Sequence, residues 1–193
     1  MTKPRTLEAS DGVTFLTSLL LSFPALGSAS LGPNVGDIRL EFYLDREIDS
    51  ARFTHFVKSF RMSWDLFFEL TRVRTTQRNI VRVVDYPTDD STHDSEVAIV
   101  RISRDIETLT LEEISMIVSL IRERFLASII EGERASASEA SYQQRVLRQS
   151  LDKVRLDPSL CGYLTGFRDQ MRVLVYANEK DDFSTTTHFG RKV

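Results

Sequence analysis

The residue types best suited to hold a metal ion or to transfer protons are concentrated in one acidic segment, 85–96. It carries five carboxylates and one imidazole and no lysine or arginine, namely Asp85, Asp89, Asp90, His93, Asp94 and Glu96. Carboxylate oxygens bind hard cations, and a histidine nitrogen can complete a transition-metal site. The spacing, however, fits neither an EF-hand loop nor a pair of histidines one helical turn apart. We therefore interpret the segment as a solvated loop and keep an unrecognised enzyme site near it as an alternative.

Other catalytic chemistry finds little support in the chain. The single cysteine, Cys161, excludes an intramolecular disulfide and every site built from several cysteines. His55, His93 and His188 lie far apart in three different kinds of segment. The chain also contains no glycine-rich phosphate loop, no GxGxxG, no GxSxG and no HExxH. The sequence therefore predicts no catalytic residues, no cofactor and no metal, and it favours a protein that is not an enzyme.

Nucleic-acid binding is the alternative that the charge distribution suggests. The formal net charge of −3 argues against a dedicated DNA-binding protein, yet residues 52–82 carry a local excess of positive charge. Guanidinium groups bind phosphates and tyrosine rings stack on bases. The candidate contact residues are Arg39, Tyr43, Arg72, Arg74, Arg78 and Arg82. The aromatic motif of the RNA recognition module is absent, because segment 96–103 contains no phenylalanine or tyrosine.

The elements that would position these residues follow a β-α-β-β-α-β order. Alternating apolar residues predict strands, and apolar residues at helical spacing predict helices. The predicted strands are 37–45, 79–84, 96–103 and 171–176, and the predicted helices are 46–72 and 110–130. This order is typical of an α+β, ferredoxin-like (split β-α-β) antiparallel sheet with helices packed on one face. Since that fold hosts many functions, the architecture alone leaves the function open.

Two helical signals are strong. The first helix carries one apolar stripe, formed by Phe53, Phe56, Val57, Phe60, Trp64, Phe67 and Phe68. The second begins with Thr110 and Glu113, a capping box in which the glutamate side chain is expected to reach back to the backbone N–H of the threonine. A further apolar stripe at 146–154 predicts a late helix, preceded at 132–142 by a loop or a weak helical turn.

The two ends are expected to differ from the core domain, 37–177. Residues 1–36 are interpreted as an N-terminal helical appendage whose glycine-rich part, 27–36, is a linker, and residues 178–193 as a flexible tail. Segment 13–29 resembles a secretory signal with a cleavage site after Ala29, although a helix that packs on the domain is favoured. The segment is too short to span a membrane. A cytoplasmic protein is expected, or a secreted one if 13–29 is a signal peptide.

The chain has more apolar surface than a minimal sheet with two helices can bury. Strand 96–103 has apolar residues on both faces, and the late helix adds another stripe. The candidate interface residues are Val97, Ile99, Leu174, Tyr176, Val146, Leu147 and Leu151. Exposed apolar patches commonly mark interfaces. We therefore expect a non-catalytic protein-interaction or adaptor module that binds a second copy of itself or another protein.

Overall fold

The computed structural model describes residues 8–32, 36–45, 50–73, 82–86, 97–133, 136–156, 163–169 and 172–177. Within these residues the chain forms four helices and six strands. In chain order they are α1 (Glu8–Ser22), β1 (Ser28–Leu31), β2 (Asp37–Leu44), α2 (Ser50–Thr71), β3 (Arg82–Tyr86), β4 (Val97–Asp105), α3 (Leu111–Phe125), α4 (Ala137–Leu156), β5 (Leu164–Asp169) and β6 (Arg172–Ala177).

The strands form one antiparallel sheet in the order β3-β4-β2-β1-β5-β6. In β2 every second residue is buried, beginning with Ile38 and ending with Leu44. These side chains share a face with the inward residues of β4, since Leu40 is paired with Ile102 in the register, and the helices pack on that face. The α+β fold with helices on one side of the sheet is therefore confirmed. The opposite face, which no described helix covers, is called the open face.

The ferredoxin-like order of four strands is not confirmed. Strands β3, β4 and β2 are neighbours in the order that a split β-α-β unit requires, with β4 between the two strands that α2 connects. The late strand, however, is β6 and lies at the far edge of the sheet. The place beside β2 is taken by β1, from the N-terminal part of the chain.

The interpretation of segment 27–36 as a linker is wrong for its first half. All four residues of β1 are buried, and this strand pairs with β2 on one side and with β5 on the other. Two of the three glycines in the segment follow β1: Gly32 and Gly36 have φ angles of 78° and 95°. Such angles favour glycine because a Cβ atom would be strained there.

The N-terminal helix α1 belongs to the core of the fold. It packs over β1, β5 and β6 and against α4. At Gly166 of β5 the helix approaches so closely that a Cβ atom would lie 3.0 Å from Cδ1 of Leu20. Its fully buried residues include Phe15, Leu16, Leu19 and Leu20. No helix in the described part of the chain is long and apolar enough to cross a membrane.

The late helix α4 is longer than its apolar stripe suggested, because it begins at Ala137 in the segment expected to be a loop or a weak turn. It contacts α1 through Ser150, whose Oγ lies 3.4 Å from that of Ser18. Lys153 adds an ion pair to Asp11 of α1 at 2.9 Å. The buried stripe of α4 therefore serves the packing of two helices within one chain.

The polar end of α1 is held by an arginine of the sheet. Arg168 of β5 donates a hydrogen bond from Nη2 to the backbone carbonyl of Leu20, in the last turn of α1. The carbonyl end of a helix carries partial negative charge, which favours a cation there. Burial lowers the pKa of the Arg168 guanidinium from its ordinary value, but an arginine remains charged at neutral pH.

Candidate interaction surfaces

The helix α2 has one fully packed face, which is called the inner stripe and consists of Phe56, Phe60, Trp64 and Phe68. These residues follow one another at intervals of four, so they form one row along the helix. Neighbouring ring centroids lie 5.4, 5.0 and 6.0 Å apart along the row. At its start, Phe56 meets Phe125 of α3 edge-on at 5.0 Å. The aromatic stripe predicted from the sequence is thus the surface that attaches α2 to the core.

A buried ion pair lies beside the inner stripe. Arg104 of β4 contacts Glu113 of α3 through two parallel hydrogen bonds, Nε to Oε1 at 2.5 Å and Nη2 to Oε2 at 2.9 Å. Arg104 also donates to Asp105, and its guanidinium carbon lies 5.4 Å from the centre of the Phe68 ring. The side chains of Arg104 and Glu113 are at most 1% exposed. Because both charges are satisfied and shielded from solvent, this cluster holds three elements together and offers no surface for a reaction.

The capping box of α3 is formed only in part. Oγ1 of Thr110 accepts the backbone N–H of Glu113 at 3.1 Å, as predicted. The Glu113 carboxylate, however, binds Arg104 and accepts a hydrogen bond from Nε1 of Trp64 at 3.1 Å. It does so because a buried guanidinium and a buried indole N–H require a partner more than a helix-end N–H does.

The opposite face of α2 carries a second apolar row, which is called the outer stripe and consists of Met62, Leu66 and Leu70. Their exposed fractions are 66%, 55% and 73%. They too lie four residues apart, and they are two positions out of phase with the inner stripe, which places them on the other side of the helix. The sequence-based prediction missed these residues. The signal that could have found them is a second four-residue apolar spacing in a helix whose first apolar face was already assigned.

Charged residues run beside the outer stripe, and the positive ones precede the negative ones along α2. Lys58 and Arg61 come first along α2, and Asp65 and Glu69 follow them nearer its C-terminal end. All four are exposed. At about 100° per residue they fall on one flank of the outer stripe. This flank therefore changes sign near the middle of the helix.

The centre of the open face is a polar network whose groups bind each other. Glu41 of β2 accepts a hydrogen bond from Nε of Arg101 at 2.7 Å and one from Oγ of Ser28 at 2.6 Å. Next to them, Oγ1 of Thr165 lies 2.9 Å from Oγ of Ser30. The Arg101 guanidinium is therefore committed to a carboxylate and would have to leave it to bind a phosphate.

The structure does not bring the predicted nucleic-acid contacts together. Arg39 and Tyr43 belong to the open face, whereas for Arg82 only the backbone is described, paired with that of Arg101 in the register. Arg72 lies at the end of α2, on the other side of the sheet. The remaining two, Arg74 and Arg78, are outside the described residues.

The predicted interface residues are divided among three places. Leu174 and Tyr176 are exposed on β6 at the edge of the sheet, where the Tyr176 ring contacts Phe167 at 5.5 Å. Ile99 is nearly buried on the open face opposite Tyr43. Only the backbone of Val97 is described, opposite Tyr86 in β3. On α4, Val146 is partly buried.

Leu147 and Leu151 of α4 lie in the core with α1, which corrects their interpretation as interface residues. Both are almost fully buried within one chain, so they offer a partner no surface.

Most residues that were considered for catalysis or metal binding lie outside the described residues. Residues 87–96, with His93, lie outside the described residues, as do Cys161 and His188. His55 is exposed on α2. In the described part of the chain, no group of three or more histidine, cysteine, aspartate or glutamate side chains could hold a metal ion. An open cavity of about 620 Å³ lies between α3 and α4, where Glu112 and Arg148 face each other across 3.5 Å.

Comparisons of this chain with models of protein families, with curated proteins and with solved structures find no match. The surfaces described above are therefore the basis on which a function can be proposed.

Proposed function

We propose that this chain is a non-catalytic protein-interaction module that acts by binding a second copy of itself or another protein, with the outer stripe of α2 as its contact surface. The observation that carries the proposal is the exposure of Met62, Leu66 and Leu70 in one continuous row. Burying a side chain of this size in an interface stabilises the complex by about 1.5–3 kcal/mol. A partner that covers the row would form a complex stabilised by this free energy for each side chain that it buries.

The fold does not need the outer stripe to be apolar. Packing of α2 on the core is accounted for by its inner stripe, by the contact between Phe56 and Phe125, and by the hydrogen bond from Trp64 to Glu113. Polar residues at the outer positions would leave all of these contacts in place. Contiguous apolar patches on a folded surface commonly mark the site where another molecule binds.

Cross-linking through Lys58, which lies beside the outer stripe, tests this function. We expect the chain to form cross-links through Lys58, in purified form if it binds a second copy and in an extract of cells that express it if it binds another protein, and we expect Leu66→Glu to abolish them. The control is Leu174→Glu, which places the same charge at an exposed leucine on β6 and should leave the cross-links unchanged. Cross-links that are equal in all three proteins, or absent from the unaltered chain in both samples, would refute the proposed contact surface.

Nucleic-acid binding through the open face is the second candidate function. It is supported by the shared face of Arg39 and Tyr43. It predicts affinity for single-stranded RNA that falls steeply with salt and that is reduced by Arg39→Ala and Tyr43→Ala. Binding that is absent at low salt would reject this alternative.

We also propose that β2, α2, β3 and β4 form a ferredoxin-like half, extended by β1, β5 and β6. The proposal is supported by the antiparallel order β3-β4-β2 and by the helix that connects β2 to β3. The position of β1 beside β2 marks the point where the extension begins.

A cytoplasmic location is proposed from the role of α1. Cleavage after Ala29 would remove α1 together with its buried residues Leu16 and Leu20, and would divide β1. A signal peptide that forms part of the core would leave the mature chain without that core. The intact mass of the protein from its native source tests this: a chain that begins after Ala29 would contradict the proposal.

A further inference from the structure

We infer that the outer stripe of α2 binds the outer stripe of a second copy of this chain, with the two helices antiparallel. This inference rests on the proposed function and names the partner. The order of apolar and charged residues along the exposed face of α2 supports it. No other element in the described part of the chain has an exposed row of this kind.

Two adjacent rows run along the exposed face of α2. The apolar row is the outer stripe, Met62, Leu66 and Leu70. The charged row is Lys58, Arg61, Asp65 and Glu69. With about 3.6 residues per turn, positions three and four apart form such rows along a helix, and a partner helix that lies on one row also touches the other.

A two-fold axis near the middle of α2 matches both rows at once. If two copies pack antiparallel, Met62 of one lies opposite Leu66 of the other. In the same register Lys58 lies opposite Glu69, and Arg61 lies opposite Asp65. The midpoints of these three pairs are 64, 63.5 and 63, so they agree within one residue, or about 1.5 Å along the helix. One register therefore brings Met62 against Leu66 in both copies and opposite charges against each other.

The other arrangements lack this match. In a parallel two-fold pair the charged flanks of the two copies would lie on opposite sides of the contact, so Lys58 and Glu69 would not face an opposite charge of this row. A different protein would have to carry a charge row of the same length in the reverse order, which a second copy supplies by symmetry. A contact through the same patch on both copies closes into a dimer and does not grow into a fibre.

Two charge reversals test the register. Lys58→Glu makes positions 58 and 69, which face each other across the contact, both acidic. Glu69→Lys makes both positions basic. We expect each variant alone to self-associate roughly tenfold more weakly than the unaltered chain, because attraction becomes repulsion at two symmetric places. An equimolar mixture of the two variants should recover the original affinity, since the acidic pair of one variant then lies opposite the basic pair of the other. The double variant Lys58→Glu/Glu69→Lys should recover it too.

Sedimentation velocity on the purified full chain measures these affinities, with circular dichroism as the check that each variant is folded. The changed residues are exposed, so the monomer should keep its fold. Recovery in the mixture supports the antiparallel register. Variants that are weakened without recovery, or that are not weakened at all, would overturn that register.

Failure of this inference can be told apart from failure of the proposed function. If the purified chain is monomeric at all concentrations while its Lys58 cross-links in extract still depend on Leu66, the outer stripe binds a different protein and the second copy is rejected. If dependence on Leu66 is lost in both experiments, the proposed contact surface is rejected as well. Assembly into species larger than a dimer would reject the symmetric contact.

Discussion

The two faces of α2 carry similar apolar rows but have different neighbours. On the inner face Phe60 and Trp64 are at most 2% exposed, because α3 and the sheet cover them. On the outer face, only two positions further along the chain, Met62 and Leu66 are more than half exposed. An apolar row therefore indicates a surface whose burial is energetically favourable. Which molecule covers it depends on the neighbours of the helix.

The polar groups beside the two rows differ in the same way. Beside the inner stripe, Arg104 and Glu113 are paired within the chain and shielded from solvent. Beside the outer stripe, the charged row that runs from Lys58 to Glu69 is exposed and separated by sign along the helix. The first arrangement fixes a helix to its own core. The second is suited to a partner with the reverse order of charges.

The largest difference between the two faces should appear in the stability of the monomer. Trp64→Ala is expected to lower the free energy of unfolding by about 3–5 kcal/mol, because it leaves a cavity in the inner stripe and removes a hydrogen bond to Glu113. Leu66→Ala on the outer face is the control and should change it by less than about 0.5 kcal/mol. Urea unfolding at low protein concentration measures both. Equal losses would show that the two faces are not distinct.

The buried ion pair gives the next largest effect. Glu113→Gln keeps the shape of the side chain but leaves Arg104 without the charge that compensates it, at an expected loss of about 3 kcal/mol. Glu41→Gln removes the corresponding partner of Arg101 on the open face. Its loss should be about 1 kcal/mol, because that guanidinium can reach water once it is released. A larger loss for Glu41→Gln in urea unfolding would contradict this order.

Association should respond to the outer face alone. Leu66→Glu is expected to weaken self-association by at least about 3 kcal/mol, or more than about a hundredfold in Kd, since the interface loses a buried leucine in each of the two copies. The free energy of unfolding of the monomer should stay within about 0.5 kcal/mol. Leu174→Glu on β6 should leave the Kd unchanged. A loss of monomer stability equal to the loss of affinity would assign Leu66 to the core instead.

The smallest predicted effect concerns the residue that follows α2. Arg72 has a φ of 55°, in the left-handed region where glycine ends helices without strain. Arg72→Gly should therefore raise the free energy of unfolding by about 0.5 kcal/mol. Arg72→Ala retains a Cβ atom and should bring no gain. If Arg72→Gly and Arg72→Ala changed the free energy of unfolding equally, the positive φ of Arg72 would not be a source of strain.

Local sequence patterns predicted the elements whose structure depends only on their own residues. The spacing from Phe56 to Phe68 predicts a helix with a buried aromatic face, and the alternation from Ile38 to Leu44 predicts a strand with one buried face. Both are present, as α2 and β2. In each case the element contains the whole signal, because the period of its apolar residues is set by its own backbone geometry.

Elements that depend on distant neighbours escaped prediction. Segment 28–31 is rich in small residues, and it becomes a central strand only because β2 and β5 supply hydrogen bonds on both sides. Glu113 was assigned to a helix cap, since the sequence could not show that Arg104 would lie within hydrogen-bond distance. The outer stripe was missed for a related reason: spacing shows that a residue is on a helix face but not whether that face is covered.

Sedimentation equilibrium on the purified chain measures whether two outer stripes form a dimer. The chain has a mass of 22.1 kDa, and we expect the unaltered protein to approach twice that mass as its concentration rises into the submillimolar range. Leu66→Glu should remain at 22.1 kDa under the same conditions. A monomer mass for both proteins at every concentration would contradict the dimer of outer stripes. So would a dimer that Leu66→Glu leaves intact.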